Sequence, residues 1–151
     1  MDVVRRGLFF EEFEQGMSFT TRSRTVTEAD IVAFAGLSGD FNPLHTDEEF
    51  AKTTPHGKRI AHGMLTASIA SGLAAQAGLF DGTTLALVSA NTKFVGVVYP
   101  GDTIRLEMTV GSKRKDPEGN RGLVMLKTRL LNQGGFTVSE GLWTLLLKCK
   151  E

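Results

Sequence analysis

The sequence predicts an α+β domain in which a single layer of antiparallel sheet wraps around one long central helix. The pattern is helical and loop-like up to about Gly78, whereas from Thr83 onward it becomes long β-rich runs separated by turn residues. The longest helical run, residues 60–78, is small or apolar almost all round and carries no charge. A helix without a polar face is typically buried, so we expect the sheet to cover it.

Length and charge set the class of protein. The 151 residues, with 17 basic and 17 acidic side chains, predict one domain spanning residues 1–151 and no broad electrostatic surface for nucleic acid. No run approaches the roughly 18 apolar residues of a membrane span, and the one cysteine, Cys149, cannot form an internal disulfide. We therefore expect a cytoplasmic protein with neither a nucleic-acid nor a membrane partner.

The first helix is predicted by its two ends. A β-branched run, residues 18–26, leads to Thr27 and Asp30, which have the spacing of a capping box. Gly39 is a candidate C-cap. These limits put Asp40 immediately past the end of the helix.

A second, short helix is predicted to start near Thr46 or Asp47, because acidic residues follow where the helix dipole favours negative charge. His45 would then lie just before that start. Pro43 fixes its own φ and keeps Asn42 out of the α region, so the connection between the two helices should be stiff.

Asp40 and His45 are the candidates for acid/base chemistry, because imidazole exchanges protons near neutral pH and a partly desolvated carboxylate becomes a better base. The alternative is that Asp40 only forms a turn and that His45 lies on the surface beside a helix start. The histidines His45, His56 and His62 fall in one short region, but their spacing matches no known zinc pattern. We therefore expect no metal.

Two features of the central helix allow more than one interpretation. Gly63 opens the helix, where free backbone N–H groups can stabilise an oxyanion, or it allows close helix–sheet packing. Ser68 and Ser71 lack the strand–turn–helix context of a nucleophilic serine, so packing is the first interpretation and a pocket lining the second.

The second half of the chain contains four strand runs, and the short turns between them suit antiparallel neighbours. They are "TTLALVSANTKFVGVV", "DTIRLEMTV", "RGLVMLKTRLLN" and "FTVSEGLWTLLLKC". The segment 113–121 between the second and third runs is predicted to be a hairpin tip. A sheet of this kind leaves long edges open, so dimerisation by edge pairing is expected.

Three stretches together resemble the MaoC-like dehydratases, and among them the (R)-specific enoyl-CoA hydratases. They are "GDFNPLHTDEEFAKTT", "IAHGMLTASIASGL" and "KFVGVVYPGDTIRLEMTV". The resemblance extends over most of the chain from about Val26. It implies a hot-dog fold, a homodimer or a dimer-based oligomer, and a tunnel for the acyl chain of an acyl-CoA thioester.

The resemblance also implies roles for five residues. Asp40 and His45 would activate one water for syn addition to a trans-2-enoyl thioester, with Asp40 as base and His45 as proton donor, although the two roles are exchangeable. Asn42 would orient the pair, the Gly63 N–H would form the oxyanion hole, and Ser71 would line the pocket. No cofactor is implied, since coenzyme A is part of the substrate.

Further substrate contacts are expected around this motif. Phe41, Leu44, Leu65 and Ile69 are candidates for the acyl tunnel, and His62 and Met64 flank Gly63. The phosphates of coenzyme A need local cations, for which His56, Lys58, Arg59 and Lys93 are candidates.

Two other functions are compatible with the same fold. A thioesterase would need a carboxylate on or near the central helix, and residues 62–78 contain none. A non-catalytic acyl-CoA-binding module would be marked by loss of Asp40 or His45, and both are present.

Overall fold

The computed structural model describes residues 7–151, which form one sheet, one long helix and several short helices. A 3-10 turn at Phe10–Glu12 precedes the elements β1 (Ser18–Thr20), β2 (Arg24–Thr25), α1 (Glu28–Ser38), α2 (Pro43–Thr46), α3 (Glu48–Ala51), α4 (Gly63–Gln76), β3 (Thr84–Phe94), β4 (Thr103–Lys115), β5 (Arg121–Leu131) and β6 (Thr137–Lys148). No helix in this part of the chain is both long and apolar enough to cross a membrane.

The sheet is antiparallel in the order β1-β4-β5-β6-β3, and β2 pairs with the first two residues of β4. Side chains along β4 alternate between buried and partly exposed, as the period of two requires. The buried row, Ile104, Leu106, Met108 and Val110, joins one face of α4 in a single apolar core. This arrangement confirms the α+β prediction and is the hot-dog architecture that the resemblance implies.

The first helix begins and ends where the sequence predicts. The Thr27 hydroxyl accepts the Asp30 N–H at 3.2 Å, and the Asp30 carboxylate accepts the Thr27 N–H at 2.9 Å, which completes the capping box. Gly39 ends the helix with φ of 78°, a left-handed conformation that glycine adopts at low cost. Asp40 follows directly.

The helix predicted to start near Thr46 or Asp47 is α3, which follows its N-cap Asp47. The sequence did not predict the short helix α2, which begins at Pro43 and contains His45, so His45 lies within a helix and not in a loop before one. Proline is favoured at the first position of a helix, where no N–H is needed, and the Asn42 side chain accepts the Leu44 N–H at 3.0 Å as an N-cap. The proline therefore starts a helix as well as stiffening a loop. Asp47 in turn caps α3.

The central helix begins at Gly63, the position that the sequence indicates, and differs from the prediction in its burial. Ile60 and Ala61 precede the helix, and the Ala61 N–H donates to the Val98 carbonyl at 2.7 Å. Only one face is buried; it includes Leu65, Ile69 and Leu73, while the opposite face, with Met64, Ser68 and Ser71, is exposed. The prediction of a helix buried all round is wrong for the single chain.

Strand β3 forms one edge of the sheet and is paired on one side only, with β6. Most of its residues are exposed although the strand is rich in apolar side chains. Leu87 and Val88 are 56% and 54% exposed. The open edge predicted from the sequence is therefore apolar as well as unpaired.

Candidate active site

The carboxylate of Asp40 is held by the turn that follows α1. The Asp40 N–H donates to the Ser38 hydroxyl at 3.1 Å, and Asp40 Oδ1 accepts the Asn42 N–H at 3.1 Å. One carboxylate oxygen is thus engaged by its own turn, and the second, Oδ2, faces His45. The side chain is 49% exposed, so solvent reaches the carboxylate in the single chain.

His45 is oriented by a backbone carbonyl. Its Nδ1 atom lies 2.7 Å from the Ile60 carbonyl oxygen, and a carbonyl can only accept, so Nδ1 carries the proton of that bond. The Nε2 atom is left for chemistry and lies 4.0 Å from Asp40 Oδ2. The His45 side chain is 10% exposed, so solvent reaches little of the ring.

His62 lies behind His45 and is 2% exposed. The two imidazole rings stack with centroids 3.9 Å apart and an interplanar angle of 29°. His62 Nε2 donates to the Asp40 carbonyl at 2.9 Å, and its Nδ1 is buried with no partner among the described residues. His62 therefore packs against the candidate pair and leaves little surface for substrate, although a substrate contact was its predicted role.

Gly63 is the first residue of α4 and directly follows His62. Its N–H is one of the first N–H groups of a helix, which lack intrahelical acceptors, and within residues 7–151 no other acceptor takes it. A Cβ atom at this position would come 3.0 Å from the ring of Phe94. Both interpretations from the sequence therefore apply: the glycine allows close packing, and it presents a free donor at the positive end of the helix dipole.

Asn42 acts on the pair through local structure. Its side-chain oxygen caps α2 and its backbone N–H donates to Asp40 Oδ1, so it links the carboxylate to the helix that carries His45. Its expected orienting role is compatible with these bonds.

An apolar cavity of about 290 Å³ lies between the C-terminal half of α4 and the sheet. Ser71 lines it, as expected for a pocket residue, and donates its hydroxyl hydrogen to the Ser68 carbonyl at 2.6 Å. The other lining residues are mostly apolar and include Ala74, Ala75, Phe80, Leu87, Trp143 and Leu145. A smaller cavity of about 120 Å³ lies beside Gly63 and Phe94.

The residues predicted to contact the substrate around the motif fall into two groups. Phe41, in the turn that holds Asp40, is 61% exposed, Met64, at the start of α4, is 64% exposed, and Leu44 is half-buried. Leu65 and Ile69 point into the core instead. Trp143 and Leu87 line the larger of these two cavities. The sequence analysis did not single them out, because which face of a strand meets the helix is known only once the register of β3 and β6 is known.

The candidate phosphate-binding cations are not equivalent. Arg59 is bound by the carboxylates of Glu28 and Glu48, and these bonds raise the pKa of its guanidinium, so a phosphate would have to compete with two acids. Lys58 lies over the Tyr99 ring at 4.4 Å, where a cation remains accessible. Lys93 is exposed on β3, opposite Glu140 in register. His56 is half-buried and its carbonyl accepts from the Tyr99 hydroxyl.

Asp40, His45 and His62 each offer one ligand atom, and these atoms lie within 4.8 Å of one another. A zinc ion would need donors about 2 Å from a common centre. The two ring planes are inclined at 29° with their centroids 3.9 Å apart, and one nitrogen of each ring is already engaged by a carbonyl. This geometry favours a proton-transfer pair over a metal site.

Comparison with known proteins places these residues in a family. A family model described as the MaoC-like domain matches residues 12–128. A protein from Aeromonas caviae named (R)-specific enoyl-CoA hydratase is 39% identical over 119 residues, covering 79% of this chain and 84% of that protein. A Rhodospirillum rubrum protein of the same name is 40% identical, covering 68% of this chain and 69% of the relative.

Solved structures give the same result for the fold. A protein from Archaeoglobus described as a monoamine oxidase regulatory protein superposes with a TM-score of 0.92 at 38% identity, covering 99% of this chain and all of that one. The (R)-hydratase of A. caviae superposes with a TM-score of 0.75 at 33% identity, covering 93% of this chain and 99% of the hydratase. The chain belongs to the MaoC-like dehydratase family and has its hot-dog fold.

Proposed function

We propose that this protein is an (R)-specific enoyl-CoA hydratase that adds water reversibly to trans-2-enoyl thioesters. The observation that carries the proposal is the placement of His45 Nε2 4.0 Å from Asp40 Oδ2. The free N–H of Gly63 directly follows His62, whose ring stacks on His45. The relatives named (R)-specific enoyl-CoA hydratase support it. The proposed activity makes the protein a hydro-lyase.

The proton count of the reaction limits what the pair can do. Hydration places OH on C3 and H on C2, so the Asp40–His45 pair must start and end with one transferable proton, which we assign to His45 Nε2, in addition to the proton that Nδ1 donates to the Ile60 carbonyl. Asp40 takes a proton from water as the hydroxide adds to C3, and His45 delivers the proton on Nε2 to C2. Asp40 then returns its proton to His45 across the gap through the next water, and dehydration follows the same steps in reverse.

Charge that develops on the thioester oxygen needs a donor in the transition state. The Gly63 N–H provides one at the start of α4, where the helix dipole adds to the stabilisation. Water attack and protonation from one pair of neighbouring side chains occur on one face of the double bond. Syn addition follows from this placement.

Substrate binding needs a site for the acyl chain and a site for the phosphates of coenzyme A. The cavity lined by Ser71 and Trp143 suits an acyl chain, because its walls are mainly apolar. For the phosphates of coenzyme A we propose Lys58 and Lys93, which are not held by two carboxylates as Arg59 is. No further cofactor is proposed.

We propose a homodimer formed through β3 as the working assembly, acting in the cytoplasm. An unpaired strand with exposed apolar side chains is an edge that other chains can pair with. Pairing β3 with its own copy would cover Val88 and bring the exposed face of α4 toward the partner.

Thioester hydrolysis on this fold is less well supported. Helix α4 has no acid, and the hydroxyls of Ser68 and Ser71 both donate to backbone carbonyls in the preceding turn. Asp81 lines the same cavity as Ser71, but among residues 7–151 no side chain accepts a hydrogen bond from either serine hydroxyl, as an activating base would.

The test follows the ultraviolet absorbance of the conjugated enoyl thioester with crotonyl-CoA and a longer trans-2-enoyl-CoA. Wild type should remove the absorbance without releasing thiol, and Asp40→Asn and His45→Gln should each lower kcat by about 10²- to 10⁴-fold. Glu118→Gln, on the tip between β4 and β5, serves as the matched control with wild-type activity.

Product configuration completes the test. An (S)-specific 3-hydroxyacyl-CoA dehydrogenase should fail to oxidise the product, and an (R)-specific one should oxidise it. Release of free coenzyme A by wild type, or no reaction with either substrate, would overturn the proposal.

A further inference from the structure

His62 connects three parts of the candidate site. Its Nε2 donates to the Asp40 carbonyl at 2.9 Å, and its ring stacks on His45 with centroids 3.9 Å apart. It is also the residue directly before Gly63, at the N-cap of α4. The His62 ring also contacts the Phe34 ring of α1 edge-on, with the ring centroids 4.9 Å apart. No other described side chain contacts both members of the pair in this way.

We infer that His62 is a positioning residue of the hydratase site, whose N–H holds the Asp40 turn in place while its ring supports His45. This role rests on the proposed function. It explains how Asp40 Oδ2 and His45 Nε2 are held 4.0 Å apart, a distance that one bridging water can span. A small displacement of such a pair lowers activity, since misplacing a reacting group by about 1 Å reduces the rate about 10²-fold.

The hydrogen bonds define which nitrogen of His62 carries a proton. The Asp40 carbonyl cannot donate, so the hydrogen lies on Nε2. A second proton on Nδ1 would be a buried donor without an acceptor among the described residues. A neutral His62 with its proton on Nε2 is therefore the state that fits the surroundings.

This state matters for the neighbouring ring. The titratable groups that face His62 are Asp40, from the turn after α1, and His45, from α2; Phe34 adds none. In the proposed cycle His45 carries the transferable proton. A second positive charge stacked at 3.9 Å would oppose that proton, whereas a neutral ring does not.

A purely structural histidine is the alternative, since a buried, stacked ring also fills the core. The two roles differ in what the substitutions change. A structural role predicts that any side chain of suitable size restores activity once folding is restored. The positioning role requires a donor at the place of Nε2.

Two substitutions separate these contributions. His62→Gln keeps a donor that reaches the Asp40 carbonyl, and His62→Phe keeps a stacked ring without a donor. With crotonyl-CoA we expect His62→Phe to lower kcat about 10²-fold with KM changed by less than about threefold, and His62→Gln to retain at least about tenfold more of kcat than His62→Phe. Urea unfolding of each variant corrects for the folded fraction.

Nuclear magnetic resonance gives a readout that does not depend on activity. In wild type the ring nitrogens of His62 should show the Nε2–H tautomer, and those of His45 a proton on Nδ1. The carbonyl carbon shift of Asp40 should change in His62→Phe and remain near wild type in His62→Gln.

Equal kcat values for the two variants, or an Asp40 carbonyl shift that is unchanged in His62→Phe, would overturn the inference. If wild type hydrates no enoyl thioester, the proposed function fails, and the tautomer and carbonyl shift still decide whether His62 holds the Asp40 turn. The two failures are therefore distinguishable.

Discussion

His45 Nε2 lies 4.0 Å from Asp40 Oδ2, which is too long for a direct hydrogen bond and short enough for one water to contact both atoms. The distance is set by backbone groups. The Ile60 carbonyl accepts from His45 Nδ1, and the Asn42 N–H donates to Asp40 Oδ1. Because each reacting side chain uses one polar atom for anchoring and leaves the other free, the pair is preorganised before substrate binds.

The free donor at Gly63 gives the first prediction. In Gly63→Ala the added Cβ would meet the Phe94 ring at 3.0 Å, so either the ring or the start of α4 must shift. Moving the Gly63 N–H away from the developing oxyanion should lower kcat by about 10²-fold, the cost of losing one such donor. Steady-state kinetics with crotonyl-CoA measure the change.

Two variants control this prediction. Phe94→Leu combined with Gly63→Ala should recover part of kcat, because the smaller side chain relieves the crowding. Gly36→Ala, in the exposed middle of α1 where a Cβ meets nothing within 4 Å, should keep wild-type activity and stabilise the fold by about 0.5–1 kcal/mol. Full activity in Gly63→Ala alone would remove Gly63 from the mechanism.

The cap of α1 gives a prediction for stability against pH. Burial of Asp30 acts to raise its pKa, but hydrogen bonds from Thr27 and the nearby Arg24 outweigh it and place the pKa below 3.8. A lowered pKa in the folded state means that the stabilisation is present above the unfolded value and is lost as the pH falls through the folded value.

Asp30→Asn should therefore lower the free energy of unfolding at pH 7 by about 1 kcal/mol, as expected for a helix cap. The difference from wild type should shrink as the pH falls below about 4. Urea unfolding at both pH values measures it, with Glu118→Gln as an exposed acid that should show no such loss at pH 7. A difference that is constant with pH would contradict this account.

The sequence predicted the parts of the fold that depend on local rules. The capping box of Thr27 and Asp30 and the left-handed Gly39 define α1 by contacts within a few residues, and both are present. The sequence did not predict α2, because Pro43 is compatible both with a stiff loop and with the first turn of a helix. The Asn42 cap decides between them.

Contacts between residues that are distant in the sequence were harder to predict. Asp40 and His45 were proposed as a pair from their proximity in the chain, but the stacking of His62 on His45 depends on where α4 packs. The exposed face of α4 is another case. Its small and apolar side chains and its lack of charge predicted burial, which the single chain does not provide. The sequence does not distinguish burial by its own sheet from burial by a partner.

The apolar edge of the sheet predicts a dimer. Val88 is 54% exposed on β3, and a two-fold pairing would set β3 against its own copy. Val88→Glu would place two like charges close together near the axis, which disfavours pairing. Light scattering should give a dimer for wild type and a larger monomer fraction for the variant; a monomeric wild type would contradict the prediction.

The stacked histidines predict independence from metal ions. The rings of His45 and His62 stack with their centroids 3.9 Å apart and their planes inclined at 29°, and each ring already uses one nitrogen on a backbone carbonyl, so we expect neither stoichiometric metal nor a need for it. Activity after exhaustive dialysis against EDTA should equal that of untreated enzyme, and elemental analysis should show substoichiometric zinc. Activity lost on dialysis and restored by one metal would reverse the expectation.

The cavity between α4 and the sheet predicts which acyl chains react. Ala75 is exposed on α4 and lines this cavity of about 290 Å³ together with Trp143. Ala75→Leu would fill part of the space without removing a core side chain. The kcat/KM for a longer trans-2-enoyl-CoA should fall about tenfold relative to crotonyl-CoA, since each lost methylene contact is worth about 1 kcal/mol or more.

Alanine is a better helix former than leucine by only a small margin, so the helix should tolerate the change, and thermal unfolding checks this. An unchanged ratio of kcat/KM between the two substrates would place the acyl chain elsewhere, with the surface around Phe41 and Met64 as the next region to substitute.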